Sequence, residues 1–208
     1  YGDLILKSPE KFPQADYILL ESTYGDSLHE DADPAENLLR EIIFQTCVLR
    51  KGKLIIPAFS VGRTQELLYS LNHLEQIGII PDVKYYVDSP LSIKATNVVK
   101  SHPENFNKQV QEVMLHDEDP FLFKDLTFIQ DVNASKALNI NPEPCVIISA
   151  SGMAEAGRVK HHIKNNSQGK IITAPIIRPT QENLWSQLRN SAIITHSGKI
   201  RLFLPVII

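Results

Sequence analysis

Short runs of aliphatic and β-branched residues, each stopping at a small or polar turn, constrain this chain more than any other feature. Tyr17-Ile18-Leu19-Leu20 ends at Glu21-Ser22-Thr23-Tyr24-Gly25, and Lys53-Leu54-Ile55-Ile56 ends at Pro57 through Arg63. Val83 to Val87 meets Asp88-Ser89-Pro90, Cys145 to Ile148 meets Ser149-Ala150-Ser151-Gly152, and Lys170 to Thr173 reads the same way. Runs this short and this continuously apolar suit strands covered on both faces. Segments with a helical period separate them. Pro34 to Leu49 places Leu38, Leu39, Ile42, Ile43 and Thr46 on one side, and Thr64 to Ile77 carries Leu67, Leu68, Leu71 and Leu74 as one stripe. Asp33 before Pro34 fits an N-cap and first-turn proline, and Gly78 fits a stop. Ser89-Pro90 opens a helix through about Val99, and Pro103 to Met114 reads as a fourth. The β-α-β-α-β alternation predicts an α/β fold: a mostly parallel twisted sheet flanked by helices, in three layers.

Residues 111–144, with Phe121, Phe123 and Phe128 among acids, read as loops and short elements covering the sheet edge, and the pattern weakens from Ile176 onward. A hydrophobic fraction of 43% supports a folded core. Cys47 and Cys145 are the two cysteines, each in an apolar stretch, which excludes a disulfide scaffold and a Cys-rich zinc module. A formal net charge of -3 excludes global positive charge as a means of holding nucleic acid but leaves room for a local basic groove. No apolar run approaches the ~18 residues of a membrane span, and no signal-peptide pattern occurs, so a cytoplasmic protein is expected. The chain opens at Tyr1 and ends on Pro205-Val206-Ile207-Ile208, which reads as an excised piece.

Ligands of open α/β sheets collect beyond the carboxyl ends of the strands, so polar residues there are the candidates for function. Glu21 sits at one such end, where a carboxylate can orient a histidine, accept a proton or cap its own turn. Ser60-Val61-Gly62-Arg63-Thr64-Gln65 forms a strand-to-helix turn whose amides can receive an oxyanion and whose Arg63 can clamp a phosphate; Arg63 can equally pair with Glu66. It is neither a nucleotide P-loop nor a dinucleotide fingerprint. Ser151-Gly152 through Gly157-Arg158-Val159-Lys160-His161-His162 repeats that logic, with Arg158 and His162 four apart on one helix face. Phosphate contact and structural capping both remain open for it. Asp88-Ser89-Pro90 reads as a simple helix cap, and His73, His102, His116 and His196 are scattered. Tyr17, Tyr85, Tyr86 and Trp185 do not alternate with basic residues as a stacking sheet would.

Leu20-Glu21-Ser22-Thr23-Tyr24-Gly25-Asp26, Pro57-Ala58-Phe59-Ser60-Val61-Gly62-Arg63-Thr64-Gln65-Glu66, Tyr86-Val87-Asp88-Ser89-Pro90-Leu91 and Ala150-Ser151-Gly152-Met153 through Arg158 to His162 occur in that order. Together they resemble the β-CASP branch of the metallo-β-lactamase superfamily, which contains mRNA 3′-end processing endonucleases and their bacterial and archaeal relatives. The resemblance implies a β-CASP domain inserted into a metallo-β-lactamase domain, with two zinc ions in the cleft between them and RNA cut at a phosphodiester bond. It implies that residues 1–15 are the trailing edge of the lactamase part, 16–175 the β-CASP domain and 176–208 a divergent C-terminal part. It places the family's acidic motif on Glu21 and a metal-bridging aspartate on Asp3, after Gly2. Ser60, Gly62, Arg63, Ser151, Gly152, Arg158, Lys160 and His162 are the implied RNA-side residues.

The family's His-x-His-x-Asp-His motif is absent from the chain, as are its Ser-Ala-His and Val-His-Gly motifs. Asp3 alone cannot hold a two-zinc site. The expectation is a zinc-dependent RNA hydrolase as parent, with this chain binding no zinc stably and not cleaving alone. The expected partners are RNA and the missing metallo-β-lactamase domain, with a homodimer left open and no membrane. The alternative is a noncatalytic β-CASP-type scaffold that binds RNA or a protein.

Overall fold

The computed structural model describes residues 4–11, 13–20, 22, 35–166 and 171–173. Five parallel strands form one sheet: β1 (Lys53–Pro57), β2 (Lys84–Asp88), β3 (Leu126–Phe128), β4 (Cys145–Ser149) and β5 (Ile171–Thr173), in the order β3-β2-β4-β1-β5. β4 lies between β1 and β2, with Pro57 opposite Ser149 and Ser149 opposite Asp88. The carboxyl ends of three adjacent strands therefore share one rim.

Helices α1 (Ala35–Ile43), α2 (Arg63–Gln76), α3 (Pro90–Lys100) and α4 (Lys108–Val113) pack on one face. Their core joins Leu68, Leu71 and Leu74 to Leu54, Ile56, Val87, Val146 and Ile148, and the pleat sends alternate strand residues there. α5 (Val132–Ile140) and α6 (Gly157–Asn166) cover the other face, where Leu138 packs with Ile129, Cys145, Ile147 and Tyr86. The three-layer parallel α/β fold is as expected. α1 runs on into a wider π-helical turn over Phe44–Leu49. Cys47 is buried, and its Sγ donates to the Cys145 carbonyl at 3.4 Å. Burial pushes the two thiols up, to about 12 and about 11, so both are small core side chains.

Two sequence expectations need correction. Tyr17-Ile18-Leu19-Leu20 is outside the sheet, and its side chains are exposed, Leu19 at 97%. The stretch 111–144 holds loops and short elements at the sheet edge, as expected: the edge strand β3 and the nine-residue α5. β3 is only three residues long, too short to show a period, and α5 starts where Asp131 accepts from the Asn133 and Ala134 amides. The helix expected over Pro103–Met114 is broken. Phe106 leaves the helical path to bridge Leu6 and bury its ring, and Asn107 then recaps α4 through the Val110 amide.

The β4-to-α6 turn is built on Gly157. Its φ is +73°, and a Cβ there would fall 2.5 Å from the Ala150 carbonyl oxygen. Gly78 has nearly the same φ, +72°, but no atom within 4 Å of its Cβ position. Gly78→Ala is expected to cost about 1–2 kcal/mol from backbone strain alone. Gly157→Ala should cost at least about 2 kcal/mol more, because backbone must move. Urea denaturation of both variants measures the difference.

Candidate functional site

Asp88 is the last residue of β2, two beyond Tyr86, so it faces the α5–α6 layer. Its side chain has no contact with solvent. Oδ1 accepts from Arg158 Nη1 at 2.6 Å, while Oδ2 accepts from His162 Nε2 at 2.6 Å and Ser135 Oγ at 2.5 Å. Arg158 also donates to the Gln130 carbonyl at 2.7 Å and the Ile129 carbonyl at 3.3 Å. From β4, Ser149 Oγ donates to the Asp88 carbonyl at 2.8 Å. One acid thus ties β2 to α5, α6, β4 and the segment after β3. Burial by itself would raise this carboxyl, but the hydrogen bonds from His162, Ser135 and Arg158 outweigh it and hold Asp88 below its ordinary value.

The network continues to the amino end of β1. Lys53 is buried and caps the last turn of α5 by donating to the Leu138 carbonyl at 2.6 Å. Desolvation lowers its pKa. Lys53 Nζ, which can only donate, faces Asn166 Oδ1 at 3.4 Å. Asn166 Nδ2 therefore donates, to Asn139 Oδ1 at 2.9 Å and to the His162 carbonyl at 2.8 Å. Asn139 Oδ1 in turn accepts from His162 Nδ1 at 2.8 Å. Both ring nitrogens of His162 face acceptors, and the lysine fixes the donor order through Asn166 and Asn139 as far as His162 Nδ1.

The glycine-arginine turns flank this hub. Gly62, at φ +82°, precedes α2. Its amide donates to Gln65 Oε1 at 2.7 Å, the Arg63 amide to the Val61 carbonyl and the Thr64 amide to the Phe59 carbonyl, both at 3.2 Å. These three amides are spent inside the turn, contrary to the expectation that they are open to an oxyanion. Arg63 pairs with Glu66. Ser60, Arg63, Ser151, Gly152 and Arg158 are half-buried, whereas Gly62 and Lys160 are exposed. His162 is wholly buried, so it lies behind the rim and not on its surface. Asp3 and Glu21 lie outside the described residues.

The rim brings together the turns after β1 and β4 and the end of β2. Sequence reasoning missed Asp88, because Asp-Ser-Pro also reads as a cap. The cap is Ser89, whose Oγ accepts the Ser92 amide at 3.1 Å. The available signal was an acid closing an apolar strand, with Arg158 and His162 spaced to meet it. Among the described residues no three His, Cys, Asp or Glu side chains come together to hold a metal ion, and Asp88 is already saturated by donors. The described residues do not fit a zinc pair. No described helix is long and apolar enough to cross a membrane.

Comparison with known proteins finds a match to the Beta-Casp domain over residues 64–171. The chain is 35% identical over 164 residues to "Ribonuclease TTHA0252" of Thermus thermophilus, covering 77% of this chain and 37% of that protein. It is 33% identical over 163 residues to the "RNase J-like protein" of Methanocaldococcus jannaschii, covering 77% and 36%. It is 32% identical over 157 residues to "Transcription termination factor FttA" of Methanosarcina mazei, covering 74% and 24%. The chain thus spans between about a quarter and two-fifths of the length of these relatives.

Asp88→Asn would leave Arg158 and His162 facing a neutral amide, and is expected to destabilise the fold by about 3–5 kcal/mol. The folded-state pKa of Asp88 is depressed, so its contribution is complete above the ordinary value of 3.8 and disappears as pH falls below it. Urea midpoints recorded from about pH 7 down to about pH 3 should show this acid-side loss in the parent chain and its absence in the variant.

Proposed function

Because the chain belongs to the β-CASP family, a branch of the metallo-β-lactamase superfamily, we propose that it is the RNA-recognising part of a zinc-dependent hydrolase that cleaves RNA phosphodiester bonds. One observation carries this reading: the turns holding Ser60 to Arg63 and Ser151 to Arg158 share the rim above three adjacent strands. The RNA strand crosses that rim. Lys160, exposed on α6, and Arg63, exchanging Glu66 for a phosphate, supply positive charge there. Ser60, Gly62, Ser151 and Gly152 shape the path. Arg158 and His162 act through Asp88, fixing α6 and the turn before it. Glu21 is the acidic motif residue, and Asp3 the metal-bridging residue.

In this reading the two zinc ions and the hydrolytic step belong to the complete protein, and this chain binds RNA without cutting it. A noncatalytic scaffold is the second reading, favoured by the same commitment of Asp88, Arg158 and His162 to structure. An intact His-x-His-x-Asp-His motif in the complete protein separates the two in favour of hydrolysis.

Fluorescence anisotropy with a labelled single-stranded RNA tests the recognition role. Lys160→Glu and Arg63→Glu should each weaken binding roughly tenfold and flatten the salt dependence by about one unit of slope. Unchanged affinity in both variants removes the rim from the RNA path. Stoichiometric tight zinc together with turnover by this chain would overturn the placement of the hydrolytic centre outside it.

A further inference from the structure

Phe59 follows β1 and is 56% exposed, which is unusual for an aromatic side chain one residue after a fully buried strand and Ala58. Its ring lies against the bare Cα of Gly152: a Cβ there would fall 2.9, 3.0 and 3.1 Å from Cδ2, Cε2 and Cγ of the ring. Glycine is what lets the ring seat on the β4 turn. The Phe59 backbone is pinned as well, because its carbonyl accepts from both the Thr64 amide at 3.2 Å and Thr64 Oγ1 at 2.7 Å. The ring is thereby braced from below while more than half of its surface faces water. Val61 and Met153, from the turns after β1 and β4, and Leu91, in the first turn of α3, are 66%, 62% and 60% exposed. Four exposed apolar side chains thus gather at the strand ends, where α/β sheets bind ligands.

We infer that Phe59, seated on Gly152, is a stacking platform for a nucleobase of the RNA strand; this rests on the RNA reading given above. The flat ring is the only one of the four side chains that can match a base face. α6 rises from the same turn that holds Gly152 and carries the exposed Lys160 and His161. A braced aromatic face on the rim from which a lysine-bearing helix starts is the combination that single-stranded nucleic acid uses, one part for the base and the other for phosphate.

The test uses the 208-residue chain, a hexamer of riboadenylate, and an abasic ribose-phosphate chain of the same length. The unaltered protein should bind the hexamer roughly five- to a hundredfold more tightly than the abasic chain. Phe59→Leu keeps the patch apolar but removes the flat face, and should abolish that preference while leaving the abasic affinity unchanged. Phe59→Trp should retain it. Gly152→Ala, which displaces the ring, should reduce it. Equal hexamer binding by the parent chain and Phe59→Leu overturns the platform and leaves the RNA reading standing. A parallel loss for both ligands in Phe59→Leu also overturns it, assigning the patch to a protein neighbour. Binding of neither ligand by the parent chain overturns the RNA reading together with the platform.

Discussion

A carboxylate without access to water is tolerated only where enough donors reach it, and Asp88 is such a case. Removing an ion from water costs several kcal/mol even after relaxation, and an imperfect partner set does not recover it. Arg158, His162 and Ser135 must therefore arrive together. Two of them lie four apart on α6 and the third lies on α5, so the acid fixes the rotation of one helix and the approach of the other. A slide of α6 by a single residue would leave Asp88 facing the wrong side chains. Hydrophobic contact alone, as between Leu138 and Ile147, has no such directional demand.

That constraint explains how a smooth apolar sheet face can present an ordered rim. The turn between β4 and α6 has one end held by ladder pairing to β1 and β2 and the other by Arg158. In between, Gly152 accommodates the Phe59 ring and Gly157 accommodates the Ala150 carbonyl. The first α2 turn is finished differently, by closing its amides on its own carbonyls and on Gln65. Gln65 Nε2 then donates to Thr96 Oγ1 at 2.8 Å, which links that turn to α3. On the α2 side of the rim the turn amides are closed internally, and this leaves side chains there to meet a ligand.

Much of the architecture was legible in the sequence. The apolar runs at 53–56 and 145–148 became β1 and β4, and the leucine stripe at 67–74 became the inner face of α2. Periodicity works there because those elements bury a regular face. It fails for β3, where three residues cannot establish a period, and for Phe106, where a tertiary bridge to Leu6 overrides helix continuation. Tyr17 to Leu20 has strand composition but no described strand beside it. Composition reports what a segment needs to bury, not which partner is present. The two glycine-arginine turns were visible as motifs, but the role of Asp88 was not, since its partners lie 47 to 74 positions away along the chain. Spacing rules see neighbours on one helix and cannot see across a sheet.

The order of the strands also bears on how the molecule comes to be made. β1, near the middle of the sheet, pairs only with β4 and β5, which are synthesised roughly ninety residues or more later. Until then its apolar Leu54-Ile55-Ile56 segment has α1 and α2 for cover but no ladder on either edge. A nascent chain carrying such a strand must keep that edge unpaired until β4 emerges, so holding factors favour correct assembly and slow translation lengthens the exposure.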